Sequence, residues 1–143
     1  MKEPLVIFTS WGGAQYLDWW LLVHLLGGLA LGYACRVYGL SFIYAFVIVG
    51  AILVGWEVYE ELANIAEPWT NTLLDIFFGL VGIWLAYEVV LFENFSMNFW
   101  LAGLLLLIWG GLNVWGWFAW QAREAKASQL QAEAEKVMTT IDH

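Results

Sequence analysis

Long apolar runs, broken by short polar or turn-forming stretches, dominate the chain. A helix needs about 20 mostly apolar residues to cross the hydrocarbon core of a bilayer, because its backbone hydrogen bonds must close internally there. Four runs meet that need, approximately Leu17 to Tyr38, Phe42 to Leu62, Leu73 to Phe92 and Phe99 to Trp120. The breaks fall near Gly39-Leu40-Ser41, around Glu67-Pro68-Trp69-Thr70-Asn71 and around Glu93-Asn94-Phe95-Ser96. Connections this short favour antiparallel neighbours. The pattern therefore predicts an all-α fold: a four-helix transmembrane bundle over residues 17–120, preceded by an interfacial segment, 1–16, and followed by a polar C-terminal helical extension, 121–143.

The extension begins at Gln121-Ala122-Arg123-Glu124-Ala125-Lys126, rich in helix formers and polar enough to leave lipid. The fourth helix is expected to continue into water. Leu130, Ala134, Val137, Met138 and Ile141 recur at helical spacing and give it a thin apolar stripe, either a docking strip or one side of a solvated helix. An even number of spans puts both termini on one side, together with Lys2, Arg123, Lys126 and Lys136, while Arg36 lies toward the other. The positive-inside rule then makes the termini cytoplasmic, with a bacterial inner membrane as the expected location.

Composition agrees with a lipid setting. Of 143 residues, 62% are hydrophobic and 13% charged, outside the proportions usual for a soluble domain. The eleven tryptophans suit headgroup regions, where the ring is sheltered and its N–H stays wet. The formal net charge of -8 comes with only five cations, so no basic stripe exists to neutralise phosphates and nucleic acid is excluded as a partner. Cys35 is the one cysteine, which rules out an internal disulfide and reads as a buried apolar thiol. The start Met-Lys-Glu-Pro lacks a basic n-region, and the run Leu5 to Phe8 is too short for a secretory signal.

Charge placement carries more information than the sum. Asp18 and His24 open the first helix, Glu57, Glu60 and Glu61 close the second, and Asp75 opens the third, so an antiparallel bundle brings them to one end. Trp11, Trp19, Trp20, Trp56, Trp69, Trp115, Trp117 and Trp120 map to the same level, as an interfacial belt. Helical spacing also sorts faces. Glu57, Glu60, Glu61 and Asn64 share a stripe; His24 aligns with Gly28, Gly32 and Cys35; Asp75 aligns with Gly79, Gly82 and Ala86. Membrane helices approach through small residues, so Gly28, Gly32, Gly79 and Gly82 mark packing seams and turn His24 and Asp75 into the bundle. Gly103 and Gly110 offer the fourth helix a similar face, with Asn113 close by.

An ionised carboxylate at the bilayer centre costs roughly 2.5 to 3.5 kcal/mol on insertion scales, and less near an interface. No Lys or Arg lies between Arg36 and Arg123. The carboxylates must therefore share protons, bind a cation, contact His24, reach Arg123 or sit in water. Glu60 and Glu67 suit the last of these, as solvated helix ends, and Glu88 is interfacial at the opposite end. Glu57 and Asp75, each bordered on one side by continuous apolar sequence, are the better candidates for a specific partner, with solvation at the helix ends as the alternative. The candidate metal ligands are Glu57, Glu61, Asp75 and His24, an oxygen-rich set suited to a hard divalent cation or to protons. A structural, hydrogen-bonded His24 is the alternative. The Glu-x-x-His pairs of di-iron bundles are absent, as are G-x-S-x-G, a phosphate loop and a Cys pair, so no catalytic residue is assigned.

Gly55-Trp56-Glu57-Val58-Tyr59-Glu60, then Asn71-Thr72-Leu73-Leu74-Asp75 and Gly79-x-x-Gly82, resemble the VanZ-like and YjdF-like small membrane proteins over residues 18 to 86. Those families pair an Asp and His at one helix start with a Trp-Glu element ending another and an Asp-containing start followed by glycine. Asp18 and His24, Glu57 with Glu60, and Asp75 with Gly79 stand in the matching places. Asp18 is followed by Trp19 where the family favours Lys, and Glu67-Pro68-Trp69 replaces its Pro-Gly-Arg turn. The resemblance implies association with glycopeptide resistance and no established activity. The competing expectation is an accessory subunit of a respiratory or photosynthetic membrane complex, packed against other subunits or copies of itself. In that setting His24 is the candidate cofactor ligand, although a pigment is disfavoured because light-harvesting helices commonly carry Ala four residues before the His, where this chain has Trp20.

Overall fold

The computed structural model describes residues 18–63, 65, 68–88 and 99–141. They form four helices and no strand: α1 (Trp19–Val37), α2 (Phe42–Leu62), α3 (Trp69–Glu88) and α4 (Phe99–Ile141). Each carries a stretch long and apolar enough to cross a membrane. The interfacial segment 1–16, the turn around residues 93–96, Trp11, Asn64 and Glu67 lie outside the described residues.

Local chemistry explains the boundaries. Asp18 caps α1, its Oδ1 accepting the Trp20 N–H at 2.9 Å and so satisfying one of the free donors of the first turn. At the other end Gly39 adopts φ +80°, a left-handed conformation open to glycine at little expense. The Leu40 N–H then reaches back to the Cys35 carbonyl at 3.0 Å and the Gly39 N–H to that of Arg36 at 2.9 Å, which closes the helix end before Ser41 starts α2. Helix α3 begins one turn earlier than the apolar pattern predicts, at Trp69 rather than Leu73. The Pro68 carbonyl accepts the Asn71 and Thr72 N–H groups, so Trp69, Thr70 and Asn71, expected in the turn, belong to the first helical turn instead. Asn71 is fully buried there, so its polarity belongs to a helix start and not to a loop.

The helices run up and down alternately, with α1 at the centre touching all three others. Helices α1 and α3 are parallel and the closest pair. A Cβ placed on Gly28 would collide with the Gly79 carbonyl, and one on Gly82 with the Leu25 carbonyl. One on Gly32 would press on Ile83 and Ala86 at 3.1 Å. Backbones meet directly along this seam, as small residues in membrane helices allow. Leu53 of α2 packs over Gly79, and together with Val49, Ala45, Ile83, Ala86 and Tyr33 it forms the apolar core.

Helix α4 differs from expectation. Gly103 and Gly110 face open space, and α4 rests on α1 through the Trp109 indole, whose Nε1 lies 2.7 Å from where a Cβ on Gly27 would sit. The small residue at that crossing comes from α1, not α4. Beyond Trp120 the helix continues without a break to Ile141, mostly exposed, in agreement with a polar extension. Outward faces elsewhere carry Ile43, Val47, Leu73, Phe77, Leu107 and Phe118, all exposed, as on helices apolar enough to cross a membrane.

Away from the acidic end, Tyr87 ties three elements together. Its hydroxyl donates to the Leu40 carbonyl at 2.8 Å, and its own carbonyl accepts from Arg36 Nη1 at 2.7 Å. The Arg36 guanidinium also lies 5.2 Å from the Tyr87 ring centre. Tyr87→Phe removes the bond to the α1–α2 turn and is expected to cost about 1 kcal/mol. Thermal unfolding in detergent, followed by circular dichroism, measures that as a modest fall in Tm with no change in helix content.

Candidate functional site

Three helices each deliver one ionisable side chain to the same point. His24 lies in the second turn of α1, Glu57 in the second turn from the end of α2, and Asp75 in the second turn of α3. The antiparallel α2 and the parallel α3 bring these levels together, and all three residues are buried, at 6%, 8% and 1% exposure. One ligand atom from each falls within 4.8 Å of the other two.

Backbone chemistry fixes the histidine. His24 Nδ1 sits 2.9 Å from the Trp20 carbonyl oxygen, one turn earlier, and a carbonyl can only accept. Nδ1 therefore carries the proton. In the neutral ring the lone pair is then on Nε2, which faces Glu57 Oε1 at 3.1 Å. Two lone-pair atoms that close repel unless a proton or a cation lies between them. The separation suits either. Two ligands bound at roughly 2.1 Å to one ion and subtending 90 to 110° stand about 3.0 to 3.4 Å apart.

Asp75 completes the group from the opposite side. Its Oδ1 lies 3.7 Å from His24 Nδ1, and its Oδ2 accepts from Asn71 Nδ2 at 3.3 Å. Asn71 is fully buried and orients the carboxylate from one turn back on the same helix. The sequence pattern assigned Asn71 to a turn and missed this role. The signal was present as an Asn four residues ahead of an Asp, a spacing at which helical side chains meet.

Of the outlets open to the carboxylates, the structure takes contact with His24. Glu61 is exposed and stands outside the group, because one further turn carries it about 6 Å beyond Glu57 toward the helix end. Glu60 accepts from Trp56 Nε1 at 2.7 Å at the surface, and Glu88 is exposed at the far end. Asp18 is buried but serves as the α1 cap. Gly28, Gly32, Gly79 and Gly82 line the α1–α3 seam and set the distance at which His24 and Asp75 meet.

A cavity of about 280 Å³ adjoins the group between α1, α2 and α4, with His24, Gly27, Ile52, Trp56, Trp109 and Gly110 among its walls. A wider hollow of about 510 Å³ continues it toward Tyr59 and Trp117, the two sharing Trp20, Trp56 and Asn113. No protein-family model, curated protein or solved structure matches the chain.

Proposed function

We propose that this is a multi-pass membrane protein whose His24, Glu57 and Asp75 bind a divalent cation near one face of the bilayer. The observation that carries the reading is the convergence of three buried ligand groups, one per helix, with the histidine tautomer set so that its free nitrogen points at a carboxylate. Two carboxylates offset the charge of a divalent ion, and that balance removes the main penalty of burying it. One imidazole with carboxylate oxygens suits manganese, magnesium or zinc better than softer metals. The reading extends to the VanZ-like small membrane proteins that the chain resembles, and to an inner-membrane location with cytoplasmic termini.

The test is direct. Full-length protein stripped with a chelator and titrated with Mn²⁺ is expected to take up about one ion per chain, counted by elemental analysis after gel filtration. No uptake at millimolar Mn²⁺ would sink the cation reading. It would favour the second one, in which His24 Nε2 carries a proton shared with Glu57 across the 3.1 Å contact.

An accessory role in a larger complex is supported by α4, which among the described residues packs on α1 alone and leaves most of its span uncovered. Extraction in mild detergent separates the readings, since stoichiometric co-elution with other membrane subunits belongs to that role.

A further inference from the structure

Three protein ligands leave a divalent ion short of its full complement, because hard cations take six or more oxygens and magnesium commonly fills the remainder with water and phosphate oxygen. The chemistry of the remaining ligand follows from what surrounds the group. His24 is a wall of the cavity between α1, α2 and α4, whose other walls include Leu31, Ile52, Leu53, Trp56 and Trp109, with Asn113 as a second polar side chain. Among the described residues, the α2 and α4 backbones do not approach each other, so the cavity lies in the gap between these two apolar helices. Whatever enters by that route arrives from lipid. Hydrocarbon is favoured along the walls, and His24 is the member of the group that the cavity reaches. His24 lies five residues into α1, about 8 Å from the helix end, so the site stands near one end of the apolar span.

We propose that the cleft seats the hydrocarbon chain of a phosphate-bearing lipid, and that the lipid phosphate completes the coordination of the cation held by His24, Glu57 and Asp75. The proposal rests on the cation reading above and names the ligand class of the same site. Trp20, Trp56 and Asn113, shared by the inner cavity and the wider hollow, form the passage between them. Gly110 keeps the wall of α4 flat: a Cβ built on it meets nothing within 4 Å.

That open glycine supplies the experiment. Full-length protein in digitonin, a detergent without an alkyl chain, is titrated calorimetrically with dodecyl phosphate, inorganic phosphate and dodecanol, each with and without Mn²⁺. Dodecyl phosphate is expected to bind in a Mn²⁺-dependent way and at least about tenfold more tightly than inorganic phosphate, because each buried methylene adds roughly fourfold. Gly110→Leu fills the cleft and is expected to weaken dodecyl phosphate by about tenfold or more while Mn²⁺ uptake stays unchanged. Equal binding of inorganic phosphate overturns the chain's part in recognition, and equal binding of dodecanol overturns the phosphate's part. Unaltered dodecyl phosphate binding in Gly110→Leu removes the cleft as its seat. Mn²⁺ uptake is measured first and without lipid, so failure of the cation reading is recognised separately from failure of the lipid reading.

Discussion

Gly28→Leu is expected to prevent stable assembly of the membrane domain. The Gly28 Cα faces the Gly79 carbonyl so closely that even a methyl group would collide with backbone, and backbone cannot rotate aside as a long side chain can. Helices α1 and α3 would have to separate along their whole seam, including the Gly82 crossing with the Leu25 carbonyl. Overpacking a tight site costs roughly 1 to 3 kcal/mol where side chains yield, and a backbone collision belongs at or above the top of that range. Against total stabilities of about 5 to 15 kcal/mol, such a loss shows as aggregation during extraction or a large fall in Tm. Gly55→Ala is the control: its Cβ meets nothing within 4 Å, and replacing an exposed mid-helix glycine is expected to leave Tm equal or slightly raised. A Gly28→Leu protein that is monodisperse and melts with the wild type would disprove the seam.

Much of this architecture is legible in the chain because lipid simplifies the code. Spans must be long and apolar throughout, so Phe42–Leu62 emerges with the same limits from hydropathy and from structure. The glycine seam is readable because Gly28 and Gly32 share a face with His24, and Gly79 and Gly82 with Asp75. Hydropathy fails where polar residues are buried. Asn71 looked like part of a turn because a side chain with a donor and an acceptor suits a loop, and only the proximity of α1 and α2 makes its place in the first turn of α3 intelligible. The separation of Glu57 from Glu61 was equally hidden. Both lie on one stripe, and how far a neighbouring helix extends, which decides which of them is enclosed, is a tertiary fact. The partner of each helix was also beyond the pattern, since uniformly apolar faces such as those of α4 carry no instruction about which side meets α1.

The group itself supports the sharpest functional test. Asp75→Asn preserves the shape of the side chain and its ability to accept from Asn71, and it removes one negative charge and one anionic ligand. His24 and Glu57 remain opposed at 3.1 Å, so the pair that would suffer most from loss of a partner stays matched and the fold is expected to persist. Cation affinity is expected to fall by roughly 100-fold or more, since removing even an outer partner of a metal ligand commonly costs 10- to 100-fold. Asn71→Ala tests that outer shell: Asp75 keeps its charge but loses the 3.3 Å hydrogen bond that aims Oδ1 at His24, and a loss of about 10- to 100-fold is expected. Glu61→Gln changes the same net charge as Asp75→Asn at an exposed position and is expected to shift Mn²⁺ affinity by no more than about twofold, because screening weakens a surface charge. Mn²⁺ titrations of the four proteins, followed by the electron paramagnetic resonance signal of the free ion, order them as wild type and Glu61→Gln together, then Asn71→Ala, then Asp75→Asn. Equal affinities for Glu61→Gln and Asp75→Asn, both reduced, would mean that the ion answers to diffuse acidity at the helix ends and not to a site built from three helices.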